Sequence, residues 1–162
     1  MKELLLLGIS HHTAPVALRE RLALTDKQAA ELCHELTDGG VVTEAVAIST
    51  CNRSEIYVVS DDPVRAEADL LGMLARRAAI SAIELAETVY APRNCDAARH
   101  LYRVTGGLDS MVVGEAEVQG QVKRAYELAL VESATGPVLN RLFRSALAAG
   151  KRARSETGIS ER

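Results

Sequence analysis

The sequence has very few aromatic residues and no tryptophan. Aromatics make up 3% of the 162 residues, with four Tyr and one Phe. We therefore expect an aliphatic core built from Leu, Val, Ile and Ala. The same scarcity argues against nucleic-acid recognition by base stacking, which needs aromatic platforms.

Several binding motifs are also missing. The 11 glycines form neither a Gly-x-Gly-x-x-Gly dinucleotide fingerprint nor a Walker phosphate loop. Three cysteines (Cys33, Cys51 and Cys95) are an odd number, with long spacings and no Cys-x-x-Cys. This pattern argues against a disulfide framework and a zinc knuckle, and reduced thiols fit a cytosolic compartment.

Long hydrophobic runs and strong net charge are lacking as well. The run Leu4–Leu7 is too short for a signal sequence or a membrane span, so we expect a cytoplasmic protein with no membrane contact. The formal net charge is −3, yet the stretch 123–154 contains seven basic residues and two acidic ones. Such a stretch fits a solvated helical face or a phosphate-facing surface, and composition leaves both open.

The first half of the chain alternates between strand and helix patterns. The order β-α-β-β-α-β predicts a ferredoxin-like antiparallel sheet with helices on one face, in the α+β class. The predicted strands are Leu4–Ser10, Val41–Thr50, Glu55–Ser60 and Thr88–Tyr90, and the predicted helices are Asp26–Thr37 and Asp62–Ala79.

The second half has helical periodicity interrupted by glycine-rich breaks. It predicts the helices Cys95–Val104, Glu115–Val131 and Val138–Arg154. We interpret residues 1–92 as an α/β subdomain, 93–154 as a helical subdomain beside it, and 155–162 as the start of a linker.

The segment Ser49–Arg53 is the strongest candidate for a functional turn. Cys51 lies between two predicted strands, among small polar residues and next to Arg53. A thiolate is the reactive form of cysteine, and nearby positive charge favours it. The alternative is a half-buried cysteine that only fills space.

Three histidines are further candidates. His11 and His12 follow the first predicted strand, and too few other ligands are near them in sequence for a zinc site. His100 lies beside Ala97 and Leu101 on a predicted helix, which indicates a structural histidine from periodicity alone. The functional alternative for His100 is a general acid or base paired with Cys51.

Taken together, several stretches resemble the glutamyl-tRNA reductase family, in the same order and over essentially the whole chain. They are Leu7–Pro15, Ser49–Tyr57, His100–Glu115, Gly120–Lys123 and Lys151–Thr157.

The resemblance implies a specific chemistry. Cys51 would attack the ester of glutamyl-tRNA(Glu) to give an enzyme thioester, which NADPH would reduce to glutamate-1-semialdehyde for tetrapyrrole biosynthesis. His100 matches a histidine that the family needs for activity. The positions that match the family's substrate pocket are Thr50, Asn52, Arg53, Ser110, Glu115, Ala116, Glu117 and Gln121. A guanidinium such as that of Arg53 can bind a substrate carboxylate through two hydrogen bonds.

Two departures from the family pattern stand out. Gly114–Glu117 replaces the usual Gly-Glu-Pro-Gln, so a carboxylate at Glu117 takes the place of a neutral amide. Family members also continue into an NADPH-binding domain and a helical dimerisation domain, whereas this sequence ends at Arg162. We therefore expect no bound cofactor or metal here, and only acyl capture or slow esterase activity. The resemblance implies a homodimer formed through the missing domain, and glutamate-1-semialdehyde aminomutase as a partner.

Two other interpretations remain open at this stage. One is a non-catalytic module that binds tRNA or a partner protein, with Cys51 structural. The other is a stand-alone thiol hydrolase, which would need a base close to Cys51 and no nicotinamide. Only His100 and the pair His11 and His12 are candidates for that base.

Overall fold

A three-stranded antiparallel sheet with the strand order β1-β3-β2 lies at the centre of the fold. The computed structural model describes residues 1–111, 113 and 117–157. The elements, in chain order, are β1 (Glu3–Ser10), α1 (Val16–Leu22), α2 (Asp26–Asp38), β2 (Val42–Thr50), β3 (Arg53–Ser60), α3 (Pro63–Ala78), α4 (Ala82–Ala86), α5 (Cys95–Thr105), α6 (Glu117–Val131) and α7 (Pro137–Thr157).

Both faces of the sheet are buried. Side chains alternate between the faces of a strand, yet β1 is buried from Leu4 to Ser10 without interruption. Such continuous burial is typical of a sheet that is covered on both sides. On one face Ser54 donates a hydrogen bond to the carbonyl of Leu22 in α1, and on the other Tyr57 packs edge-on against Phe143 of α7.

The helices are therefore divided between the two faces. Helices α1–α3 cover the first face, and α5 and α7 cover the second. Helix α6 packs along β2, which is one of the two edge strands of the sheet, and against α2. Just beyond α6, the carbonyl of Ala134 accepts a hydrogen bond from the backbone N–H of Ala45, so this edge is partly satisfied.

The predicted α+β class is confirmed, with three corrections. The predicted helices of the α/β half, α2 and α3, lie on one face as expected, but the helical second half covers the other face of the sheet instead of lying beside the α/β part. The predicted strand Thr88–Tyr90 is reduced to isolated bridges, Gly8 with Tyr90 and Leu5 with Arg93, on the outer edge of β1. Two short helices, α1 and α4, were not predicted. The predicted boundary near Pro92 stays a prediction.

Local capping explains where the predicted helices begin. Thr25 and Gln28 form a reciprocal capping box at the start of α2. Asp62 caps α3, and Pro63 occupies its first turn, where no backbone N–H is needed. After α2 the chain reverses through Gly40, whose φ of +84° favours glycine.

A buried carboxylate joins the sheet to the helices of the second face. Glu44 in β2 is 3% exposed and accepts hydrogen bonds from the backbone N–H groups of Gly136, Val138 and Leu139. These groups belong to the first turn of α7, where a helix has unpaired donors and partial positive charge. Gly136 is required here because a Cβ atom would lie 2.9 Å from the Glu44 carboxyl carbon.

We expect Glu44→Gln to destabilise the protein, because an amide loses the negative charge and one of the two acceptor oxygens at the start of α7. The free energy of unfolding should fall by about 1–3 kcal/mol, measured by urea denaturation. Glu31→Gln on α2 is the matched control, since Glu31 is exposed, and it should change stability by less than about 0.5 kcal/mol. Equal stability of the two variants would contradict this role.

Candidate active site

The candidate nucleophile lies at the tip of the β2–β3 hairpin. Cys51 and Asn52 form a two-residue turn between Thr50 and Arg53, which pair with each other across the strands. The Cys51 side chain is exposed. Such a turn presents a thiol to solvent on a rigid support, which suits a reactive cysteine.

Several hydrogen bonds fix the conformation of this turn. The backbone N–H of His11 donates to the carbonyl of Asn52 over 2.8 Å, which joins the end of β1 to the turn. Arg19 Nη1 donates to the carbonyl of Cys51 at 3.2 Å, and the N–H of Asn52 donates to Thr50 Oγ1 at 3.1 Å. The backbone of the turn is therefore fixed by contacts with the end of β1 and with α1, and by one hydrogen bond within the turn.

A narrow cleft surrounds the turn, and we call it the thiol cleft. Val118 of α6 lies in its wall, together with seven of the residues predicted from the sequence. Those seven are Thr50, Cys51, Asn52, Arg53, Ser110, Glu117 and Gln121. Residues 115 and 116, the predicted positions Glu115 and Ala116, lie outside the described residues.

The guanidinium of Arg53 is buried and already paired. The residue is 2% exposed, and its Nη1 donates to Glu55 Oε2 at 2.9 Å. Its Nη2 donates to the carbonyl oxygen of Asp109 at 2.6 Å and to Asp109 Oδ2 at 3.0 Å. Contact between Arg53 and a substrate carboxylate stays a prediction, and it requires Asp109 to yield part of this pairing.

A single carboxylate organises the interior beneath the thiol cleft. Glu55 has no exposed surface and accepts hydrogen bonds from four side chains. Oε1 accepts from the Tyr57 hydroxyl at 2.9 Å, while Oε2 accepts from Arg53 and, at 2.5 Å, from the Tyr90 hydroxyl. His100 Nε2 lies 2.6 Å from the same Oε2.

The electrostatics of this cluster favour an ionised carboxylate. Burial alone would raise the pKa of Glu55, but its hydrogen bond and charge interaction with His100, followed by Arg53 and Tyr90, lower it below the usual value. Burial, followed by the negative charge of Glu55, raises the pKa of Tyr57 and of Tyr90, so both phenols stay protonated donors.

His100 lies against Glu55 rather than against the thiol. Within the described residues no hydrogen bond joins His100 to Cys51, and His100 is absent from the lining of the thiol cleft. Its ring packs near Tyr90, with ring centroids 5.1 Å apart. The predicted catalytic role of His100 stays a prediction, and His100 and Arg53 contact the same carboxylate, that of Glu55.

The histidine pair at the end of β1 lies close to the same charges. The His12 Nε2 atom is 3.9 Å from Asp109 Oδ1. Burial, with the neighbouring charges of His12 and Arg53, lowers the pKa of His11. No group of three or more His, Cys, Asp or Glu side chains suited to a metal occurs among the described residues.

The supporting residues of the site were not predicted from the sequence. Glu55 and Tyr57 belong to the stretch that carries the resemblance, but no role was assigned to them. Alternation places Arg53, Glu55 and Tyr57 on one face of β3, which was an available signal. Tyr90, Asp109 and Arg19 could not be found in this way, since only the tertiary fold brings them to the cluster.

Comparisons with known proteins agree with this architecture. A family model described as the N-terminal domain of glutamyl-tRNA(Glu) reductase matches residues 7–157. The glutamyl-tRNA reductase of Rubrobacter xylanophilus is 49% identical over 155 residues, covering 95% of this chain and 36% of that protein. That of Marinobacter nauticus is 44% identical over 158 residues, covering 98% and 36%.

A solved structure gives the same result. The glutamyl-tRNA reductase from Methanopyrus kandleri superimposes with a TM-score of 0.77 at 33% identity, over 94% of this chain and 34% of that one. The fold and cleft thus define an α+β domain with an exposed thiol on a hairpin. The chain belongs to the glutamyl-tRNA reductase family and corresponds to its N-terminal domain. It spans about a third of the length of the relatives it matches.

The ionised state of Glu55 predicts a pH-dependent contribution to stability. Because its pKa is lowered in the folded protein, this contribution is complete above the unfolded value of 4.5 and is lost as pH falls through the folded value. We expect Glu55→Gln to cost about 3–5 kcal/mol at neutral pH, since it leaves a buried guanidinium without its main partner. The cost should shrink below about pH 4.5 in urea titrations at several pH values.

The matched control for Glu55→Gln is Asp69→Asn in the exposed pair with Arg65. Its effect should stay under about 0.5 kcal/mol at every pH. A cost of Glu55→Gln that does not change with pH would show that Glu55 is not ionised in the cluster.

The three thiols should differ in reactivity. Burial raises the pKa of Cys33 to about 11, whereas Cys51 and Cys95 are exposed. We expect iodoacetamide to label Cys51 faster than Cys95 and to leave Cys33 unlabelled, as measured by peptide mass spectrometry over time. In urea all three should react alike. Equal labelling of Cys51 and Cys95 in the folded protein would favour a structural role for Cys51.

Proposed function

We propose that this chain is the acyl-accepting domain of a glutamyl-tRNA reductase, with Cys51 as the nucleophile. The observation that carries the proposal is the exposed thiol on a fixed hairpin turn, inside a cleft lined by polar side chains from β2, β3 and α6. The names of the relatives supply the substrate, an aminoacyl ester of tRNA.

The proposed step is a transfer of the acyl group from oxygen to sulfur. The Cys51 thiolate attacks the ester carbonyl carbon, and a carbon–sulfur bond forms. The bond from that carbon to the 3′-oxygen of the tRNA breaks, its electron pair stays on the oxygen, and the oxygen takes up a proton. The products are a glutamyl thioester on Cys51 and free tRNA.

The cleft residues then have distinct roles in binding the acyl group. Thr50, Asn52, Ser110 and Gln121 offer neutral hydrogen-bonding groups, which suit the amino group and the ester oxygens. Arg53 is the cation for the substrate carboxylate, and that carboxylate would compete with Asp109 for Nη2. Glu117 would repel the same carboxylate, so it has to point away from the acyl group.

We assign His100 a positioning role in this proposal. Its contact with Glu55 supports the ionised state of that carboxylate, and Glu55 in turn binds Nη1 of Arg53. The orientation of the guanidinium at the cleft therefore depends on His100. A direct proton transfer between His100 and Cys51 has no supporting contact among the described residues.

The residues of this chain do not fit a dinucleotide. The turn after β1 is built from polar residues and two histidines, and the sequence has no glycine-rich fingerprint there. We therefore assign the NADPH-dependent reduction of the thioester to another part of the enzyme, and none of its steps to this chain. The homodimer and the contact with glutamate-1-semialdehyde aminomutase are likewise proposed for the whole enzyme, on family resemblance alone. In the described part of the chain, no helix is long and apolar enough to cross a membrane.

Cys51→Ser should abolish acyl capture while the fold stays intact. A serine hydroxyl is nearly the same size as a thiol but is far harder to deprotonate near neutral pH. The measurement is incubation with glutamyl-tRNA labelled in the glutamyl group, followed by detection of a hydroxylamine-sensitive protein adduct. Without a reduction step, water should slowly release the captured label as glutamate.

Cys95→Ser is the matched control, since Cys95 is also exposed but lies at the start of α5, outside the thiol cleft. It should capture the acyl group at the wild-type rate. Equal labelling of wild type and Cys51→Ser would contradict the assignment, and binding of glutamyl-tRNA with no adduct in either variant would favour a tRNA-binding module. Rapid release of glutamate without a trapped adduct would favour a hydrolase.

A further inference from the structure

A second cleft adjoins the thiol cleft, and we call it the α2–α6 cleft. Gln121 lines both clefts, and Ser49 in the second lies two residues before Cys51 on the same strand. The second cleft lies between the start of α2, the end of β2 and the middle of α6. The two clefts thus share a wall at Gln121.

The second cleft is the larger of the two and has a mixed lining. Its volume is about 250 Å³, against about 40 Å³ for the thiol cleft. Five of its nine lining residues are aliphatic, with Leu24, Ala47 and Leu128 among them, and the other four are polar, with Asp26 and Arg124 the charged ones. Apolar side chains together with a small number of polar groups are typical of a small-molecule site.

The charged pair spans the opening between two helices. Arg124 of α6 forms an ion pair with Asp26 of α2, and the two side chains are 71% and 51% exposed. Exposed pairs of this kind contribute little to stability, so each partner is available to a ligand. A guanidinium binds phosphate through two hydrogen bonds, and a carboxylate accepts from the hydroxyl of a ribose.

The chemistry at Cys51 determines what must lie here. In an ester under attack, the acyl group and the alcohol lie on opposite sides of the carbonyl carbon, so the alcohol needs its own space next to the thiol. In the proposed reaction that alcohol is the 3′-terminal nucleoside of the tRNA, with a phosphate on its 5′ side. The larger cleft, with aliphatic side chains and one exposed guanidinium in its lining, is complementary to such a group.

We propose that the α2–α6 cleft binds the 3′-terminal nucleotide of the aminoacyl ester. The base lies against the aliphatic walls, Asp26 accepts from the ribose hydroxyl, and Arg124 binds the 5′-phosphate. This inference rests on the proposed function of Cys51. Because every tRNA ends in the same nucleotide, the cleft supplies affinity and orientation, and the thiol cleft supplies the choice of amino acid.

The test compares two esters that differ only in the alcohol: 3′-O-glutamyl-AMP and glutamyl methyl ester. The rate of acylation of Cys51 is followed by intact-protein mass spectrometry, and the ratio of the two rates reports what the nucleotide contributes. Arg124→Ala removes the cation, and Ala125→Leu fills the cleft. Each variant should lower this ratio of rates about tenfold or more. The methyl ester should react at the wild-type rate in both.

Lys123→Ala is the matched control. Lys123 is a neighbouring cation on α6, 68% exposed, and it pairs with Glu127 and lines neither cleft. It should leave the ratio unchanged, which separates a specific phosphate contact from general attraction of charge. Urea denaturation of each variant checks that the fold is intact.

The outcomes separate this inference from the function on which it rests. If neither ester acylates Cys51, the proposed function fails. If both react and no cleft variant changes the ratio, the nucleotide lies elsewhere and the inference fails. A third outcome would assign the cleft to the reductant. In it, nicotinamide mononucleotide slows the reaction of the methyl ester in wild type but not in Ala125→Leu, and adenosine 5′-phosphate slows the reaction in neither.

Discussion

The structure depends on one buried carboxylate, Glu55, and on the donors that surround it. An unpaired charge of this kind would cost several kcal/mol in the interior, so its partners must be present and well oriented. Arg53 and Tyr57 come from the same strand, whereas Tyr90 and His100 come from the chain that crosses to the second face. This charge cluster thereby joins the two halves of the fold directly beneath the thiol.

Much of the candidate site was predictable because its chemistry is local in sequence. The five residues Ser49–Arg53 contain the nucleophile and the turn, and a hairpin places them together whatever the rest of the chain does. The family resemblance alone predicted three further residues that line the thiol cleft, namely Ser110, Glu117 and Gln121. Arg53 shows the limit of both approaches, since it was assigned to the substrate carboxylate, whereas in the structure it is buried and paired with Glu55 and Asp109.

The fold was predictable where periodicity and capping agree, as in α2 and α3. It was not predictable where tertiary contacts decide. The segment around Tyr90 has the composition of a strand, yet it forms only two isolated bridges with β1. In β1 the apolar residues run without interruption from Leu4 to Ile9, which indicates a sheet covered on both sides, whereas β3 begins with the polar residues Arg53, Ser54 and Glu55 and carries no such signal. The helix α1 is short and follows Pro15, so its pattern is too brief to identify.

The donors to Glu55 lie far apart in the sequence, so they leave the ribosome at different times during synthesis. When the hairpin of β2 and β3 has emerged, Arg53 and Tyr57 are available, but Tyr90 and His100 are some 35 to 45 residues further along the chain. Until Tyr90 and α5 have been synthesised, Glu55 on the second face therefore lacks two of its four donors. His11 and Arg19, which fix the turn of Cys51, precede Glu55 in the chain, so the support of the nucleophile is available before α5 and α7 cover the second face.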